Sequence, residues 1–266
     1  MMDVVEQVAA AAVDVTNFIT ASDASSKAFK TASLLKTLTV NALIMGEVGV
    51  GKRSLASYIL PDASIIDASN FEELLQALES ANEIIITNID NSPNLKRLID
   101  VLSNLRIRII ATSKQTLSSD AIDELFSVQF DIPPLSERAN DVELLVKKFA
   151  QEASALFGGS DRFNIKNFTP DISQNASSLR RQVMINYLLQ DIKDGELMDI
   201  IENYLAPKLG SNSDYRNYLY LYEVPIIKAG LKRFKSQLQL SDRLGLNRNT
   251  LRKKIADHKQ YLEEKK

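Results

Sequence analysis

The chain has 266 residues, 45% hydrophobic and 25% charged, an ordinary globular composition with room for one large domain or two or three small ones. The absence of cysteine and a single histidine, His258, exclude a disulfide framework, thiolate chemistry and a His-rich metal site. The formal charge of −2 hides an asymmetry: residues 226–266 carry 12 Lys+Arg against 4 Asp+Glu, leaving 20 basic and 30 acidic residues on the rest. A basic tail on an acidic body fits a nucleic-acid reader joined to a non-binding body, although a solvated helical tail has the same charge. No apolar run reaches the ~18 residues of a membrane span. Asp3 and Glu6 stand where a signal peptide would be basic. The expectation is a cytoplasmic protein without membrane contact.

Residues 1–20 carry Val4, Val5, Val8, Ala11, Ala12 and Val15 at helical spacing, and a second helix is expected from the Ser22–Ser25 cap cluster to about Thr37. Residues 39–45 (TVNALIM) read as a buried strand. It feeds Gly46, Glu47, Val48, Gly49, Val50, Gly51, Lys52 and Arg53, then a helix from about Ser54. That strand–loop–helix holds the G-x-x-x-x-G-K core of a phosphate-binding loop. Its glycines let backbone N–H groups turn inward, the helix N-terminus adds positive charge, and Lys52 can reach outer phosphates. ATP or ADP is the ligand such a loop would take. The other reading is a glycine turn that only lets a helix pack on a sheet. Arg53 stands where a Ser or Thr usually helps to hold Mg²⁺.

Further strands are expected at residues 64–67, 83–90, 107–112 and 127–131, with helices at 71–81 and 95–105 between them. Apolar strands alternating with helices predict an α/β fold, a parallel sheet covered on both faces. An active ATPase would need an Asp-Glu pair after the Ile84–Ile86 run, one to orient Mg²⁺ and one to activate water. Those positions are Thr87 and Asn88, and neither is a base at neutral pH; Asp90 is a distant substitute. Helices at 141–157 and 177–189, joined by a polar linker at 158–175, predict a small helical subdomain. The remainder reads as helical, broken at residues 207–214 and eased at Pro225.

Near the C-terminus, residues 238–255 read as two short helices around a glycine turn, the layout of a helix-turn-helix DNA reader. Asn247 suits a helix cap, and Leu244, Leu246, Leu251 and Ile255 share the inward face. Arg248, Asn249, Thr250, Arg252, Lys253 and Lys254 are left for solvent or DNA. Arg248 is placed to read guanine, while Thr250, Arg252, Lys253 and Lys254 suit phosphates. Ser236 and Gln237 open the first helix and could bond phosphate through a side chain and the helix N-terminus.

Two stretches resemble known families. The loop GEVGVGKR at residues 46–53, with DIPPLSER at 131–138 followed by Asn140, Asp141 and Val142, resembles the AAA+ domain of bacterial enhancer-binding proteins, the sigma-54 activators, over about residues 18–190. In that family the residue after the loop lysine is also not Ser or Thr. Residues 197–261 resemble the Fis-type domain that ends many of them, LGLNRNTLRKKI at 244–255 being the closest match. These resemblances imply an AAA+-like subdomain at residues 1–140, a helical lid at 141–192, and a Fis-type dimerisation and DNA-binding domain at 193–266. They also imply losses. The sigma-54 contact loop is missing, the sensor asparagine position falls on Lys114, the arginine finger on Glu124 and the second sensor arginine on Ser177. The expectation is a dimeric regulator of transcription on double-stranded DNA that does not hydrolyse ATP, lacks catalytic residues and does not contact sigma-54. The competing reading is a P-loop ATPase with atypical catalytic residues, stimulated by DNA. Packing of residues 196–234 on the body is the alternative to a dimer.

Overall fold

A computed structural model describes residues 18–158, 168–234 and 236–262. The expected helix within the first 20 residues falls almost wholly outside this range, as does part of the polar linker. The chain divides into two compact units, residues 1–191 and 192–266.

In the first unit, helix α1 (Asp23–Thr37) leads into strand β1 (Ala42–Met45) and helix α2 (Lys52–Ile59). Strands β2 (Ser64–Asp67), β3 (Glu83–Thr87), β4 (Arg108–Ser113) and β5 (Val128–Asp131) alternate with helices α3 (Phe71–Leu78), α4 (Leu95–Ser103) and α5 (Asp120–Leu125). Every pairing is parallel, in the order β2-β3-β4-β1-β5. The strands are apolar at consecutive positions because each face is covered. Leu43, Met45, Ile84, Ile86, Ile109 and Ala111 meet Leu74, Leu98 and Phe126 on one side. Ala42, Ile44, Ile85 and Ile110 meet Ala32, Leu35, Leu55 and Ile59 on the other. Fully burying such a side chain is worth about 1.5–3 kcal/mol, so the two layers fix the register.

From β1 the chain crosses to the far edge at β2, returns through β3 and β4, and then places β5 on β1's other side. That reversal puts a crevice beyond the C-terminal end of β1, where ligands of open α/β sheets bind.

The pair α6 (Ala139–Phe157) and α7 (Ala176–Leu189), expected as a lid, packs through Leu145, Val146, Phe149, Leu179 and Val183. Buried Asp141 anchors it. Its carboxylate accepts from the backbone N of Ala21 and Ser22 at 2.8 Å each, from Ser22 Oγ at 3.2 Å, from Ser25 Oγ at 3.0 Å and from Arg138 at 3.4 Å.

Two expected elements differ, and one helix was not expected. The strand expected over residues 83–90 stops at Thr87, because Asn88 takes a left-handed backbone (φ 52°) and opens a 3-10 turn at Ile89–Asn91. Helix α5 lies in a stretch without a clear period; Ser119 caps it by accepting from Ile122 N at 3.3 Å. The helix expected over residues 215–234 is split at Leu219.

In the second unit, α8 (Asp194–Leu205) and α9 (Asp214–Tyr218) precede α10 (Tyr220–Phe234). Pro225 is the sixth residue of α10, inside the helix, and without an N–H it takes one rung, to Leu221 O, out of the ladder. Then come α11 (Gln237–Leu244), α12 (Arg248–Asp257) and α13 (Lys259–Leu262). Ile227, Leu240 and Leu251 form the core, supported by Leu231, Leu244 and Ile255. Gly230 on α10 is there for space: a Cβ would lie 2.3 Å from Leu240 Cδ1.

Candidate functional site

Residues 46–53 wrap the C-terminal end of β1 as a loop whose carbonyls are held by its own Lys52 and by Asn175, Ala176 and Arg138. Lys52 Nζ donates to Gly46 O, and to Glu47 O at 2.8 Å. Asn175 Nδ2 donates to Val48 O at 3.0 Å and to Glu47 Oε2 at 2.9 Å. Ala176 N donates to Gly49 O at 3.1 Å, and an Arg138 terminal N to Val50 O at 3.0 Å. The first-turn N–H groups of α2 have no intrahelical partner, the condition under which a helix N-terminus can take an anion. Gly51 caps α2 at φ 108°, a conformation closed to most side chains. At Gly49 (φ 81°) a Cβ would lie 2.4 Å from Gln174 O, so the lid can approach only a glycine here.

The ammonium of Lys52 is buried. Burial pulls its pKa below the ordinary lysine value; nearby Asp90 opposes this, Lys114 adds to it and Glu47 opposes it. A cleft of about 390 Å³ opens beyond the loop, walled by Gly49, Lys52, Arg53, Asp67, Asn88 and Arg180. A neighbouring cavity of about 330 Å³ has an apolar wall from Phe18, Ile19, Val50 and Phe149. The two share Gly51, Ser54, Phe149, Ala176 and Arg180. A charged end beside an apolar one suits a molecule with a polyphosphate and a flat ring.

The structure brings two groups to the cleft that sequence reasoning missed. Asp67 ends β2, and the order β2-β3 sets it beside Thr87 and Asn88. Its Oδ1 accepts from Ser69 N at 3.0 Å and Ser69 Oγ at 2.6 Å; its Oδ2 accepts from Asn88 Nδ2 at 2.6 Å and Thr87 Oγ1 at 3.2 Å. Burial alone would raise this carboxyl's pKa, but bonds from Ser69, Asn88 and Thr87 hold it below the usual value. Four donors leave a poor base. The other group is Arg180, one helical turn past Ser177 and paired to Glu152 at 2.9 Å. Its only sequence signal was the i+3 spacing from the counted sensor position.

Of the other expected positions, Lys114 follows β4 and donates its backbone N to Asp90 at 3.2 Å, and Glu124 is exposed on α5. Among the described residues no group of three or more His, Cys, Asp or Glu could hold a metal ion. No described helix is long and apolar enough to cross a membrane.

In the second unit, Gly245 (φ 62°) ends α11, and Asn247 caps α12 by accepting from Asn249 N at 2.8 Å. Leu251 is buried beneath, while Arg248, Asn249, Thr250, Arg252 and Lys253 are exposed. Ser236 and Gln237 begin α11 as expected, without a side-chain cap bond. Lys254 differs from its neighbours. Its ammonium is paired with Glu223 on α10, whose other oxygen lies 2.9 Å from His258 Nε2. Three residues beyond buried Leu251, it shares the inward side of the helix and meets α10, so its free position for phosphate is revised.

The sequence matches no family model. It is 26% identical over 197 residues to the DNA-binding transcriptional regulator NtrC of Azospirillum brasilense, with 57% of this chain and 41% of that protein covered. It is 25% identical over 202 residues, with the same shares covered, to NtrC of Rhizobium meliloti (strain 1021). The chain thus spans about two fifths of the length of the curated relatives it matches. Crystal structures of NtrX from Brucella abortus, in complex with ADP and with ATP, superpose with TM-scores of 0.61 and 0.58 at 17% identity, covering 96% of this chain and 72% of that one. That likeness shows the fold: a parallel five-stranded sheet with helices on both faces.

Proposed function

We propose that the protein is a DNA-binding regulator of transcription, similar to NtrC-type activators, whose AAA+ body holds ATP or ADP without hydrolysing it. The observation that carries the DNA reading is α12. It is capped by Asn247 behind the Gly245 turn, seated on Leu251, and presents Arg248, Asn249, Thr250, Arg252 and Lys253 together to solvent. Arg248 in the first turn can meet a base edge in the major groove; the other cations suit phosphates.

In this reading residues 1–140 and 141–192 form the nucleotide-holding body and lid, and residues 193–266 the Fis-type reader. The loop at 46–53 and Lys52 seat the phosphates, and the apolar cavity takes the base. Hydrolysis needs a residue that activates or orients water, and the Asp-Glu pair expected after β3 would supply it as a free carboxylate. Thr87 and Asn88 offer none, and Asp67 is engaged by four donors. The missing contact loop leaves no way to engage sigma-54. A homodimer would cover α8, where Leu197, Ile200, Ile201 and Tyr204 are all at least 40% exposed, and would set two copies of α12 about one DNA turn apart.

The test is mapping of genomic binding sites, followed by titration of the best site and an ATP-turnover assay with and without DNA. Site-selective binding is expected, with no turnover above background. Turnover abolished by Lys52→Ala would overturn the non-hydrolysing body; absence of site preference would overturn the DNA reading.

A further inference from the structure

Resting on the nucleotide reading above, we propose that the cleft takes the polyphosphate as a free anion, without a divalent cation, and that Arg53 and Arg180 supply the neutralising charge.

A P-loop fold ordinarily implies Mg²⁺, and Mg²⁺ demands a near-octahedral oxygen shell built from phosphates, waters and one or two protein oxygens. The donor set here does not fit that demand. The residue after Lys52 is Arg53, whose guanidinium offers only donors. Beyond β3, Asn88 turns its amide N to Asp67 at 2.6 Å, and its own backbone N takes up Thr112 Oγ1 at 3.1 Å. Asp67 is the carboxylate on the cleft wall, and each of its oxygens already accepts two hydrogen bonds. Asp90 accepts from Lys114 N and lies close enough to Lys52 to favour that ammonium's charged form. Glu47 accepts from Asn175. Ser54, one residue past the usual hydroxyl position, is a neutral ligand and balances no charge.

The charges run the other way. Lys52, Arg53 and Arg180 line the cleft against Asp67 alone; around Lys52, Asp90 and Glu47 offset Lys114 but each already accepts a hydrogen bond. A Mg²⁺ ion among these would meet repulsion, whereas an uncomplexed polyphosphate, carrying two more negative charges than its Mg²⁺ complex, would be matched by them. Arg180 is free to change partner. Its bond to Glu152 joins side chains 52% and 32% exposed, a pair that water and salt screen. A guanidinium binds phosphate bidentately, and it sits where the two cavities meet.

The experiment is calorimetric titration of the full chain with ATP and with ADP, in excess Mg²⁺ and in EDTA, with Lys52→Ala as the control for loop binding. The expected result is affinity in EDTA equal to or tighter than in Mg²⁺. Arg180→Ala and Arg53→Ala should each weaken binding in EDTA by about tenfold, the scale of one charge-assisted contact. A loss of affinity beyond about threefold on removing Mg²⁺ would overturn the metal-free site while leaving nucleotide binding intact. Absence of Lys52-dependent binding in either buffer would overturn the nucleotide reading itself. Binding that ignores both arginine substitutions would remove their assigned role.

Discussion

Replacing Asp141 by Asn keeps the shape of the site and removes its charge. In the folded protein this carboxylate is fully buried and receives five donors: two backbone N–H groups at Ala21 and Ser22, the hydroxyls of Ser22 and Ser25, and the Arg138 guanidinium. An amide presents an N–H₂ where one oxygen stood, so at least one native donor then faces another donor. Arg138, 3% exposed, keeps Val50 O as a partner but loses its counter-charge. Volume is unchanged and no cavity forms, so the cost is that of breaking a buried ion pair from one side, about 3–5 kcal/mol. For a unit of this size each kcal/mol moves the midpoint by about 2–4 °C, so the melting temperature should fall by roughly 6–20 °C. The assay is thermal melting by circular dichroism beside Glu143→Gln, which breaks an exposed pair with Lys147 and should leave the melt unchanged. A melt within about 2 °C of wild type, less than about 1 kcal/mol on that scale, would refute the view that this cluster anchors the lid.

Arg248→Ala should weaken binding at the preferred DNA site by about 1–3 kcal/mol and flatten preference at one base pair, measured by fluorescence anisotropy over a panel of single-base variants. An unchanged preference profile would move base reading elsewhere. Gly230→Ala should destabilise the second unit: helix propensity gains about 1 kcal/mol, but a Cβ 2.3 Å from Leu240 Cδ1 costs about 1–3 kcal/mol of overpacking. A raised urea midpoint would show that Leu240 yields freely. Burial alone would raise the Glu223 carboxyl's pKa, yet bonds from Lys254 and His258 hold it below the ordinary glutamate value. A depressed folded value means stability present above the unfolded value and lost as pH falls through the folded one. Glu223→Gln should therefore melt lower than wild type above about pH 5 and converge with it in acid; a gap that widens in acid would contradict the pairing.

What the residues alone disclosed is what depends on near neighbours. The alternation of strands and helices, the glycine loop at 46–53 and the Asn247 cap are short-range patterns. Apolar period, left-handed backbone and capping chemistry are all set within a few positions. The same locality explains the misses. The end of β3 hangs on Asn88 taking a left-handed turn, held by Asp67 from another strand. Helix α5 is too short for a period to show. Asp67 could not be placed in the cleft by counting, because its arrival depends on β2 lying against β3, 20 residues along the chain. Arg180 reaches the loop because the lid packs Asn175 and Ala176 on its carbonyls. Lys254 read as one more cation in a row until α10 supplied Glu223. The sequence by itself determined that a glycine-rich strand-to-helix loop and a capped basic helix exist. The tertiary structure decided which charges stand free at each, because a side chain's charge is available only when no group from a distant segment has already taken it.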